Sequence, residues 1–333
     1  MTTRYVNTAS SPGGDGTTNA TSGATRAFAS LNEAEAAMPA TLTDWWRIVC
    51  EGSAADTTAV TFAGTTTSAA NYIEVWTDPA ATYGRHDGKW NTAKYRITAG
   101  ITISENHVRI SGLQSTVSGV RNVIVYNMAG AGVIHISNCW FSATTICVDV
   151  ISVGAVVVTM WNTICSNAGG SSTGTIVLNQ DAATFNCYNV TAYNRDAGTY
   201  FLWRRLAGTM NLINCLGVGR GQAVFTGTMN AVTYCASDDA TADDWGGAGN
   251  RITQTFTFVD SANGDFHLAA TDAGARDYGV TDPGSGLFSD DIDGVARSGS
   301  WDIGADEYVA AGGGLSIPVA RPYTQAVNRA AVY

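Results

Sequence analysis

Charge is scarce in this chain: only 14% of its 333 residues are charged, and the 18 basic residues face 28 acids for a net charge of -10. Lys89 and Lys94 are the only lysines. That balance excludes a nucleic-acid partner, since neutralising phosphates takes a basic stripe. No apolar run approaches the roughly 18 residues that a membrane-crossing helix needs, so no membrane partner is expected. The cysteines at 50, 139, 147, 165, 187, 215 and 235 contain no C-x-x-C pair, and their odd number leaves at least one unpaired. No phosphate-binding glycine loop, nucleophile elbow or dinucleotide fingerprint occurs. His86, His107, His135 and His267 are scattered, none at metal-ligand spacing. The opening Met1-Thr2-Thr3-Arg4-Tyr5 lacks a basic segment followed by an apolar one, so no secretory signal is visible.

What the chain does have is repetition. An apolar residue, a turn residue and a small residue recur at Ile110-Ser111-Gly112-Leu113, Ile136-Ser137-Asn138-Cys139, Met160-Trp161-Asn162-Thr163, Cys187-Tyr188-Asn189-Val190, Leu212-Ile213-Asn214-Cys215 and Val232-Thr233-Tyr234-Cys235. The third positions, 112, 138, 162, 189, 214 and 234, step by 26, 24, 27, 25 and 20. A second apolar phrase lies between them, at 123–127, 146–150, 175–179, 200–204 and 223–227. Two interleaved strand series with one such period predict a solenoid, and the Gly, Thr, Ser and Asn usage makes it all-β: a right-handed parallel β-helix. Coils stacked about 4.8 Å apart place like positions over one another. Asn138, Asn162, Asn189 and Asn214 are therefore expected to form a ladder in which each amide donates to the next. Cys139, Cys215 and Cys235 share one position and are expected to be reduced packing residues.

The ends differ from the middle. In Ser30-Leu31-Asn32-Glu33-Ala34-Glu35-Ala36-Ala37-Met38-Pro39, a capping box precedes an apolar face and a terminating proline, which predicts a short helix covering the open end. Strands are expected at 45–50, 58–62, 72–76, 95–98 and 101–103, with a polar and aromatic excursion at 78–91. The chain divides into a lead and capping helix (1–40), the β-helix (41–257), an Asp/Gly-rich capping module (258–309), and a Gly hinge with an extended tail (310–333). In that tail Leu315, Ile317, Val319 and Tyr323 form an apolar strip expected to dock on another virion or surface protein.

Two stretches carry a resemblance. Tyr5-Val6-Asn7, Gly13-Gly14-Asp15-Gly16, Ala27-Phe28-Ala29-Ser30-Leu31-Asn32-Glu33-Ala34 and Val49-Cys50-Glu51-Gly52 resemble the opening of pectate-lyase-like right-handed β-helix proteins. Asn263-Gly264-Asp265-Phe266-His267-Leu268, Asp291-Ile292-Asp293-Gly294-Val295-Ala296-Arg297 and Asp302-Ile303-Gly304-Ala305-Asp306-Glu307-Tyr308 resemble the end of the choice-of-anchor Q group of surface β-helices. The resemblance implies the fold and an extracellular setting, and brings no agreed catalytic set.

Between Val108 and Ala236 the only acids are Asp149, Asp181 and Asp196. Glycoside hydrolysis wants two carboxylates, and the best constellation available is Asp149 with Asp181 and Arg204. Tyr126 and Trp203 are placed on the outward face as carbohydrate-stacking rings. Asp291-x-Asp293-Gly294 resembles part of a calcium loop without its later ligands, so no cofactor is expected and calcium is the one metal left open. The function expected is a structural surface protein, a bacteriophage virion component such as a head decoration, fibre or tailspike, with carbohydrate binding. A homotrimer and a tail-attached monomer fit equally well. The alternatives are a polysaccharide lyase or glycosidase, and a cell-surface adhesin.

Overall fold

The computed structural model describes residues 1–310 except 120, 127, 129, 153, 168–173 and 196–199. Its strands wind as a right-handed parallel β-helix with three faces. Face one stacks Thr2–Asn7, Trp46–Glu51, Ile73–Trp76, His107–Ser111, Val133–Ser137, the first parts of Val157–Asn167 and Thr184–Tyr193, then Thr209–Ile213 and Ala231–Thr233. Face two stacks Ala55–Asp56, Arg96–Ile97, Gln114–Val117, Trp140–Ala143, the second parts of the same two long strands, Leu216–Val218 and Ala236–Ser237. Face three stacks Val60–Phe62, Ile101–Ile103, Val123–Tyr126, Val148–Ile151, Gly174–Asn179, Tyr200–Arg205 and Phe225–Thr226.

One coil cannot bury the apolar side of its own strands, so each coil completes the next. In face one the register sets Ile48, Val75, Ile110, Ile136, Met160, Cys187, Leu212 and Val232 in one inward column. All eight are fully buried. The seven thiols are buried and free as well, Cys235 Sγ accepting from the Cys215 amide at 3.4 Å.

The recurring phrase has a backbone cause. Gly112, Asn138, Asn162, Asn189, Asn214 and Tyr234 all turn the chain from face one to face two with positive φ, at 78°, 51°, 45°, 49°, 54° and 50°. A left-handed residue costs about 1–2 kcal/mol for most side chains and little for Gly or Asn, so those types recur there.

At the amino end the helix spans Leu31–Ala36, with the Glu33 amide donating to Ser30 Oγ at 3.2 Å. Leu31 and Ala34 join the main core beside Val60 and Phe62. Thr2–Asn7 pairs in parallel with Trp46–Glu51, so the solenoid starts well before residue 41 and the 1–40 lead contributes a strand to it.

The segment after residue 257 does not cap the far end. That end is met by the turn Thr241–Asp243, with Ala242 buried and Trp245 and Ile252 packed on the core. Residues 258–310 instead fold back along the corner between faces one and two. The reason is apolar surface left outside the coils. Trp140 and Ile164 are covered by Phe266 and Ile292, Leu216 by Leu268 and Ile303, and Trp161 by Phe288 and Trp301. The tail strip of Leu315, Ile317, Val319 and Tyr323 lies outside the described residues.

Candidate functional site

The asparagine file stands where the coil spacing requires, but its amides are spent differently from the expected ladder. One amide-to-amide step forms, from Asn214 Nδ2 to Asn189 Oδ1 at 3.2 Å. The other bonds reach the returning segment: Asn138 Nδ2 to the Asp291 carbonyl (2.8 Å), Asn162 Nδ2 to that of Asp290 (2.7 Å), Asn189 Nδ2 to that of Asp302 (3.0 Å) and Asn214 Nδ2 to that of Val280 (2.8 Å). Backbone carbonyls brought within reach compete with a neighbouring amide for the same donor, and here they prevail at two of the three steps. Arg85 and His86, from the 78–91 excursion, are buried under this seam. Arg85 donates to the Ile292 carbonyl, and His86 Nε2 meets that of Asn138 at 3.0 Å. Burial, helped by the charge of Arg85, pushes the His86 pKa down to about 3, so the ring is neutral.

Where the excursion and the returning hairpin both overhang face two, they leave a cleft of about 140 Å³. Thr116, Ser142, Arg195, Asn263 and Gly264 line it together with an aromatic wall of Trp90 and Trp140. The two indoles lie 5.2 Å apart at 45°, and Trp140 Nε1 donates to the Gly264 carbonyl at 3.1 Å, which fixes the wall. Trp90 is half-buried, keeping part of its ring open. Ser142 is 2% exposed and its hydroxyl has no hydrogen-bond partner among the described residues, a buried polar group left for something to satisfy. An aromatic wall beside hydroxyl, amide and guanidinium donors is the chemistry that grips a sugar ring and its hydroxyls. Trp90 and Trp140 were visible in the sequence as aromatics. Arg195, Asn263 and Ser142 were not, because contacts between positions 90, 142, 195 and 263 carry no spacing signal.

The expected catalytic set is not assembled. Asp149 is fully buried, held by Gln180 Nε2 at 2.7 and 2.9 Å and by the Arg121 guanidinium. Arg204 stands two coils away in the same column, past Leu178, and leans over the Phe201 ring at 5.4 Å. Asp181 lies beyond the strand end and accepts from the Ala182 amide at 3.0 Å. Of the two proposed carbohydrate rings, Tyr126 is 49% exposed, while Trp203 is fully buried, stacked on Phe225 at 4.9 Å and 9°. The register pairs Trp203, not Leu202, with Val177, and a shift of one residue turns a strand's side chains over.

The Asp291 carboxylate is taken up by backbone amides. Its Oδ1 accepts from the amides of Asp293 and Val295, and its Oδ2 from that of Glu307, so the carboxylate closes its own turn. Asp293 points elsewhere, to His267 Nε2 at 2.7 Å, while His267 Nδ1 donates to Asp265 Oδ1 at 2.5 Å. Burial opposes a charge on this imidazole, but the bond and charge of Asp293, with Asp306 and Asp265 behind, outweigh it and raise the pKa to about 10. Asp306, 6% exposed, is pushed by burial up to about 7. Among the described residues, His267, Asp293 and Asp306 are the group offering three metal-ligand atoms within 4.8 Å of one another.

No family model matches the sequence, and no curated protein matches it either. Among solved structures the chain is similar to the pectate lyase Pel9A, with 14% identity and a TM-score of 0.36 over 92% of this chain and 96% of that one.

Proposed function

We propose that this protein is a glycan-binding structural β-helix of a virion or cell surface, in which the Trp90–Trp140 cleft holds one sugar unit of a longer chain. The observation that carries this reading is the cleft itself. A half-open indole shares with the buried Ser142 hydroxyl, the exposed Asn263 amide and the half-buried Arg195 a space too small for a drug-sized ligand, which would want roughly 300 Å³ or more. We further place the protein in a bacteriophage particle, as a head decoration, fibre or tailspike. A stack of coils clasped along its flank by its own chain suits a rigid projecting part.

A bacterial-glycan array probed with the full chain and with Trp90→Ala tests the binding role. The wild type is expected to retain a small set of glycans and Trp90→Ala to bind them about 5- to 150-fold more weakly, since one base- or sugar-stacking indole is worth about 1–3 kcal/mol by analogy with ring stacking on nucleic acids. Equal binding by both proteins would sink the cleft as the site. Immunogold labelling of particles decides the location.

A further inference from the structure

We propose that His267, Asp293 and Asp306 form a site for a divalent first-row transition cation of the zinc or manganese class, tying three stretches of the returning segment to one another. Three segments distant in sequence converge there: the hairpin strand Asp265–Leu268 brings His267, the turn after Asp291 brings Asp293, and the stretch before Tyr308 brings Asp306. Imidazole nitrogen with carboxylate oxygens is a mixed donor set that suits those ions better than an all-oxygen calcium cage.

Two further observations point to a ligand. Asp293 Oδ1 is shut off from solvent and has no hydrogen-bond partner among the described residues, although its sister oxygen is bonded. A buried anionic oxygen without a donor is costly, and a cation would satisfy it. The site is also built at close quarters. A Cβ on Gly88 would lie 2.0 Å from that Oδ1 and 2.6 Å from His267 Nε2, so only glycine lets the loop pass. Behind the ring, Asp265 accepts from Nδ1, the outer-shell carboxylate that fixes the tautomer of a ligating histidine and leaves Nε2 for the metal.

On binding, the Nε2 proton leaves to solvent and the metal–nitrogen bond takes its place. The donor atoms, all within 4.8 Å of one another, then adjust to about 3.4 Å, the separation of ligands around a tetrahedral zinc ion. Asp293 keeps an open side, its side chain being 26% exposed, where water completes the shell.

The test uses the full chain, stripped with chelator and titrated with Co²⁺ as an optical stand-in for zinc. One ion per chain is expected, with visible d–d bands and no thiolate charge-transfer band, which separates this site from the seven cysteines. His267→Gln and Asp306→Asn should each weaken binding at least tenfold, while Asp181→Asn leaves it unchanged. Should a variant fail to fold by circular dichroism, the wild-type spectrum decides alone. Absence of one-to-one binding, a thiolate band, or unaltered affinity in both folded variants would overturn the site. None of these results depends on whether the Trp90 cleft binds glycans.

Discussion

Replacing Asn162 by alanine isolates what holds the returning segment in place. Asn162 is fully buried with φ at 45°. Its Nδ2 donates to the Asp290 carbonyl at 2.7 Å, and its Oδ1 accepts from Arg297 Nη2 at 3.2 Å. Alanine cannot hold the left-handed turn without a penalty of about 1–2 kcal/mol. It also removes one of two donors to the Asp290 carbonyl, which keeps Arg297 Nε at 3.1 Å, so the lost bond is worth about 0.5–1.5 kcal/mol. Arg297 keeps the carbonyls of Gly304 and Ala305, so its loss is small. The total is about 1.5–3.5 kcal/mol. Glycine removes the strain and keeps the lost bond, so Asn162→Gly should recover about 1 kcal/mol of that. Urea-unfolding midpoints of the three proteins measure both effects, and trypsin cleavage at Arg276 and Arg297 reports release of the segment. An alanine variant within about 0.5 kcal/mol of wild type, or a glycine variant no better than alanine, would refute the reasoning.

Two more perturbations follow from buried groups. Trp203→Ala should cost about 3–5 kcal/mol by opening a cavity beside Phe225. Trp203→Phe should cost far less, because the Trp203 indole nitrogen has no partner to lose among the described residues, and equal losses for the two variants would contradict that placement. For His135, burial and then Arg109 lower the pKa from 6.5 to about 4, so the unfolded chain takes up the proton first as pH falls. Its contribution is present above pH 6.5 and is lost progressively towards pH 4, at most roughly 3 kcal/mol. His135→Gln should flatten that part of a stability–pH curve, and parallel curves for the two proteins would rule it out.

The coil period was legible because a physical requirement marks it. A left-handed corner admits Gly and Asn readily, so Gly112, Asn138, Asn162, Asn189 and Asn214 write the register into the chain. Face three has no such marker. The stretches joining it to face two vary in length, and an apolar run such as Phe201-Leu202-Trp203 can be phased either way, which is why Trp203 was placed outside. The amino-terminal helix was readable from local chemistry, Ser30 and Glu33 bonding within one turn. The route of residues 258–310 was not. What it offers the corner asparagines is main-chain carbonyls, which every residue possesses and no residue type announces. The cleft failed for a related reason, since Ser142 and Arg195 carry no signal until the distant loops bearing Trp90 and Asn263 overhang them.

Because the carbonyls of Val280, Asp290, Asp291 and Asp302 sit at fixed intervals, the closing stretch works as a gauge of the rungs beneath it. Slippage anywhere between Asn138 and Asn214 would carry several amides out of reach together, and the clasp could not shut. A stretch synthesised after these coils thereby proofreads their winding.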